Sequence, residues 1–203
     1  MSKGRLEAFS DGVIAILITI MVLELHTPTG TSWAALREDL PVLLAYVLSF
    51  VNIGIYWNNH HHMLAAVSNV NGAALWANLH LLFWLSLVPF TTAWMSENGF
   101  PPVPVAVYGI VLLAAGAAYY VLQGRLLRAQ PDHSLLATAL GRDLKGRLSP
   151  VLYCVAVALS FVSRWLALAI YVAVALMWFV PDRRVERRVT APTRPPTPTD
   201  GSP

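Results

Sequence analysis

Few side chains in this sequence can do chemistry, and most stand in apolar surroundings. Ser10 and Asp11 open a long apolar run that holds Thr19 and closes at Glu24. Trp57, Asn59, His60, His61 and His62 end a second run, and Asn78 and His80 lie inside a third. A carboxylate at membrane depth is expensive, usually faces protein or water, and has a partner. Asp11 and His80 therefore suit either a structural polar contact or a proton relay. Three adjacent imidazoles invite a metal, but consecutive helical residues point about 100° apart and cannot converge on one ion. No Cys or carboxylate stands beside them in the sequence, so no metal site is expected. No nucleophile–base pair, metal motif or phosphate loop is recognisable, which argues against an enzyme. No cofactor is implied.

The elements that position these groups must sit in lipid. Of the 203 residues, 56% are hydrophobic and 12% charged, against roughly 25% charged in a soluble domain. A spanning helix needs about 20 mostly apolar residues. That rule predicts an all-α membrane protein with six transmembrane helices, at about 5–26, 40–62, 72–96, 103–127, 147–163 and 165–181. The run from Leu40 to Ser96 has no Asp, Glu, Lys or Arg, enough for two spans divided by the polar stretch after Trp57. Arg5 precedes the first span, but Glu7 and Asp11 interrupt the apolar stretch, so it reads as a retained helix, not a signal peptide. Cys154 is the single cysteine, so no intrachain disulfide forms.

Charge sets the orientation. Lys and Arg collect on cytoplasmic flanks. Arg37 and Arg164 are the two that six spans leave outside; all other Lys and Arg residues fall before helix 1, between helices 4 and 5, or after helix 6. Both termini are thus expected in the cytoplasm. The membrane-spanning unit is 1–182. Residues 183–203 form a basic patch suited to lipid headgroups and then a Pro-rich tail expected to be disordered. Nucleic-acid binding is not expected from so short a run.

In helix 1, Ile16, Ile20 and Leu23 share one stripe, with Thr19 beside it. Two readings stand. The stripe packs against other helices while Thr19 bonds to its own backbone, or copies of the helix surround an axis and form apolar rings that gate ions by dewetting. Periodicity does not choose between them.

The string Arg5-x-x-x-Phe9-Ser10-Asp11-Gly12-Val13-x-Ala15-Ile16-x-x-Thr19 resembles the signature of the transmembrane protein 175 family of potassium-permeable channels. Trp57-x-Asn59-His60-His61, Leu75-Trp76-x-Asn78-Leu79 and Pro89-Phe90-x-Thr92 resemble its later blocks. The resemblance implies a homotetramer in a bacterial plasma membrane, with helix 1 lining the pore. It implies that Ile16 forms the narrowest constriction, with Ile20 and Leu23 as outer rings. Thr19 matches a position linked to potassium selectivity. Arg5, Phe9, Ser10, Asp11, Trp57, Asn59, His60, His61, Asn78 and His80 would form the polar network behind it. Glu24 would charge the outer vestibule. K+ and other monovalent cations would permeate with modest K+ over Na+ preference, because no carbonyl-type filter sequence is present. The competing function is a proton-coupled secondary transporter using Asp11 and His80, although the internal repeats common in transporters are not visible.

Overall fold

A computed structural model describes residues 2–130 and 144–179. Its described residues form seven α-helices: α1 Lys3–Leu23, α2 Trp33–Ala65, α3 Gly72–Ser86, α4 Val88–Glu97, α5 Pro102–Arg128, α6 Leu144–Leu159 and α7 Arg164–Phe179. Four stretches are long and apolar enough to cross a membrane: α1, α2, Gly72–Glu97 (α3 and α4 together) and α5. The apolar helices α6 and α7 are 16 residues each. At 1.5 Å per residue that is about 24 Å, a little under the roughly 30 Å hydrocarbon core. The basic and Pro-rich tail expected at 183–203 lies outside the described residues, as does most of the segment between α5 and α6.

Local chemistry accounts for most boundaries. The Ser32 hydroxyl accepts from the Ala35 amide at 3.3 Å and caps α2. The Asn71 side chain accepts from the Ala74 amide at 3.0 Å and caps α3. α4 closes with the Phe100 amide bonding the Met95 carbonyl (2.9 Å) and the Gly99 amide bonding Ser96 (3.2 Å). This paired pattern needs a left-handed residue, and Gly99 supplies it with φ 71°. Pro101 and Pro102 then start α5 at the one place where a missing N–H costs nothing.

Two expectations change. Helix 2 begins at Trp33, so Arg37, Glu38 and Asp39 are helical and not part of a connecting loop. Polar residues at an N-terminal end are compatible with a helix that extends beyond lipid. The third span is not continuous: it breaks at Leu87, between α3 and α4. Pro89 has no N–H to offer the Leu85 carbonyl and its ring crowds that carbonyl, which interrupts the ladder.

α5 is the central helix, packed on α3, α4, α6 and α7. Tyr108 of α5 and Tyr171 of α7 are fully buried, edge to face at 5.6 Å. Gly109 makes the approach possible, because a Cβ there would overlap the Tyr171 hydroxyl. Ser49 of α2, Thr92 of α4 and Tyr108 share a buried hydroxyl cluster (2.7 and 3.1 Å), typical polar glue between membrane helices. At the opposite end of α5, the Gln130 side chain bonds the Ser68 amide and hydroxyl and both backbone groups of Asn69, fixing the α2–α3 turn.

Candidate pore helix and its polar anchor

Helix α1 has two faces. Leu6, Ser10, Ile14, Leu17 and Met21 follow three- and four-residue steps and are buried, against α2, α3 and α4. The opposite face is exposed: Ile16 is 57%, Ile20 39% and Leu23 80% exposed. Phe9, Gly12, Ala15 and Thr19 are exposed on it as well. Among the described residues, no helix of the same subunit buries this stripe. The Thr19 hydroxyl does donate to the Ile16 carbonyl, at 2.9 Å, so that part of the first reading holds. Its proton used, the Thr19 oxygen presents only lone pairs outward. Glu24 follows α1 as an exposed carboxylate.

The buried face is tied down by a hydrogen-bonded chain. Asn78 of α3 donates through Nδ2 to Ser10 Oγ (2.9 Å), and Ser10 donates to the Leu6 carbonyl (2.8 Å). The Asn78 oxygen then faces His60 Nε2 of α2 at 2.7 Å. An amide oxygen only accepts, so Nε2 carries the proton. All three side chains are buried, at 0%, 0% and 1% exposure for Ser10, Asn78 and His60. His60 Nδ1 is enclosed with no partner among the described residues. One turn of α2 adds two outer links. Trp57 Nε1 donates to Asp11 Oδ1 at 3.0 Å, and His61 Nδ1 lies 3.4 Å from the Glu7 carboxylate.

Four residues expected in this network are elsewhere. Arg5 and Phe9 share the exposed stripe of α1, one helical side away from Ser10. Asn59 is about 100° around α2 from His60. Only its backbone carbonyl is engaged among the described residues, by the Tyr119 hydroxyl at 3.2 Å. His80 lies about 200° around α3 from Asn78 and accepts from Trp84 Nε1 of its own helix at 2.9 Å. The three histidines diverge to different neighbours. Glu7, Ser49, Tyr108 and Gln130 were not singled out in the sequence. Glu7 was findable, since it lies three and four residues before Ser10 and Asp11.

Comparison with known proteins places this geometry. The family described as endosomal/lysosomal potassium channel TMEM175 matches residues 5–89, which carry the α1 face and its whole anchor. A potassium channel of Chryseobacterium sp. (strain P1-3) is 51% identical over 92% of this chain and 97% of its own length. The chain belongs to the TMEM175 family. A potassium channel of Streptomyces collinus is 36% identical over 87% of this chain and 91% of the relative. The crystal structure of a lysosomal potassium-selective channel TMEM175 homolog from Chamaesiphon minutus superposes with a TM-score of 0.71 at 33% identity, covering 93% of this chain and 98% of that one. This TMEM175 member is thus a cation channel and a multi-pass protein of the bacterial plasma membrane, in a family of ion channels and not of enzymes.

Proposed function

We propose that four copies of this chain surround an axis, each turning the exposed face of α1 inward, and that the resulting pore passes K+ in modest preference to Na+. The observation that carries this is the exposed stripe of Ile16, Thr19, Ile20 and Leu23 on a helix whose other face is fixed by a buried polar anchor. A single chain cannot enclose a pore with one helix face, so a conducting channel needs copies. Ile16 is the narrowest ring and Ile20 and Leu23 follow outward. Apolar rings gate by dewetting and cannot replace a hydration shell, which keeps selectivity modest. Thr19 supplies the one oxygen on this face, an acceptor suited to a cation. Glu24 concentrates cations in the outer vestibule. Both termini are cytoplasmic, residues 1–182 form the channel, and 183–203 form a cytoplasmic tail beside the lipid headgroups.

The proton-coupled alternative needs Asp11 and His80 in one relay. Asp11 is engaged by Trp57 of α2 and His80 by Trp84 of its own helix, so no observation favours it.

The test is Ile16→Asn in planar bilayers. Wetting the constriction should raise K+ current several-fold and bring the K+/Na+ permeability ratio towards unity. Unchanged conductance and selectivity would remove Ile16 from the conduction path.

A further inference from the structure

A cavity of about 60 Å³ opens between α2, α5, α6 and α7, away from α1. Its walls include the rings of Tyr56, Tyr119, Tyr153 and Trp178, with Asn59 and Ser149 among them. No charged side chain lines it among the described residues.

Most of the polar wall is already spent. The Tyr56 hydroxyl donates to the Leu112 carbonyl (3.3 Å) and the Tyr119 hydroxyl to the Asn59 carbonyl. Trp178 Nε1 donates to Ser149 Oγ, which donates to the Lys145 carbonyl, both at 2.8 Å. Asn52 and Tyr120 line it as well, Asn52 donating to the Leu48 carbonyl (3.0 Å) and Tyr120 being engaged. The Tyr153 hydroxyl and the Asn59 carboxamide have no hydrogen-bond partner among the described residues. Tyr153 is only 6% exposed. Among the described residues, His60 Nδ1 is the one fully enclosed side-chain atom without a partner, so the Tyr153 hydroxyl keeps access to the cavity it lines. Buried polar groups in native proteins have partners as a rule. Aromatic faces around two free hydrogen-bonding groups match an apolar body bearing one hydroxyl.

We propose that this cavity binds a small uncharged alcohol, with its hydroxyl held by Tyr153 and Asn59 and its apolar body against the aromatic walls. The site goes beyond the pore and does not depend on it. Asn59 precedes His60, so an occupant touches the same turn of α2 that anchors α1.

The probe is a diazirine-bearing analogue of 1-hexanol, irradiated with the full-length protein in lipid nanodiscs and read by peptide mass spectrometry. Saturable adducts on Tyr153 and its cavity neighbours are expected, displaced by excess 1-hexanol. Tyr153→Phe keeps the ring and removes one hydrogen bond, and should raise the half-saturating concentration roughly threefold to tenfold. Gly116 is also in the wall, and a Cβ there would meet the Tyr56 hydroxyl at an ordinary 3.6 Å. Gly116→Leu should therefore fill the space and abolish the adducts. Should that variant fail to fold, Tyr153→Phe alone decides. Non-saturable labelling of lipid-facing residues overturns the proposal, as does labelling indifferent to the variants, or no labelling at all, which would mean a cavity filled by water. Labelling does not require ion flux, so its failure and a failure of the pore reading are separable.

Discussion

Asn78 is the residue on which the α1 anchor turns, because its one amide serves two helices at once. Its nitrogen holds Ser10 and its oxygen holds His60. Asn78→Leu fits an apolar helix but leaves the His60 proton and the Ser10 oxygen without that partner, at about 1–3 kcal/mol for each group stranded. Ser10→Ala strands only the amide nitrogen and should cost about half as much. Thermal unfolding of the purified protein in detergent checks the order; equal losses would mean the chain of bonds is not shared in this way. Asp11→Ala acts differently. It removes the Trp57 link at the rim of the anchor, so assembly should fall while surviving channels keep their ion preference. Intact assemblies with altered preference would instead put Asp11 in the conduction path. The sequence made Ser10, Asp11 and Asn78 legible because a polar group in an apolar helix must find a partner. It did not separate Asn78 from His80. Both are polar and share one helix, and only the helical phase relative to α1, a tertiary quantity, sends one inward and leaves the other on Trp84.

Helices were legible by hydropathy and their ends by capping chemistry, but hydropathy reports lipid and not helix. That is why the start of α2 was placed near residue 40: Arg37, Glu38 and Asp39 end the apolar run, whereas the helix ends at the Ser32 cap. The break at Leu87 needed Pro89 to be weighed against an otherwise unbroken apolar pattern. Gly109 was less legible still, since nothing local marks it as the site where Tyr171 lands. The spacing of α5 and α7 depends on it. Gly109→Ala drives a methyl into the Tyr171 hydroxyl, and overpacking of this kind typically costs about 1–3 kcal/mol. Tyr171 also donates to the Val105 carbonyl at 3.1 Å, so displacement loses that bond as well. Tyr171→Phe alone should be mildly destabilising. In the Gly109→Ala background it should recover part of the loss, because the nearest clashing atom is gone while Tyr171 Cζ and Val157 Cγ2 still crowd the methyl. Strictly additive losses in that double-mutant cycle would show that the two residues do not meet.

At the scale of the molecule, the proposed pore makes one subunit an incomplete object. Its interior is closed around α5, and its polar groups at the α1 anchor are spent inward, yet Ile16, Ile20 and Leu23 face out in a row. Lipid can cover aliphatic side chains as well as a second protein can, so exposure by itself leaves both coverings open. The difference is symmetry. In a closed ring of four, each Leu23 lies near its copies about the axis; in lipid, no two subunits bring it together. Native mass spectrometry of the detergent complex should give four times the 22.2 kDa subunit mass. Geometry needs a second reading, because a tetramer can form through other faces. In a Cys154→Ser background, which removes the single native thiol, Leu23→Cys treated with a short bis-maleimide should yield covalent dimers in high fraction. Val172→Cys on α7, also exposed, should not. One thiol per subunit limits the product to dimers, so the readout is their fraction and its dependence on position. Efficient crosslinking through α7 with none through α1 would keep the oligomer, turn it inside out, and leave the branched side chains of α1 in contact with lipid and not with ions.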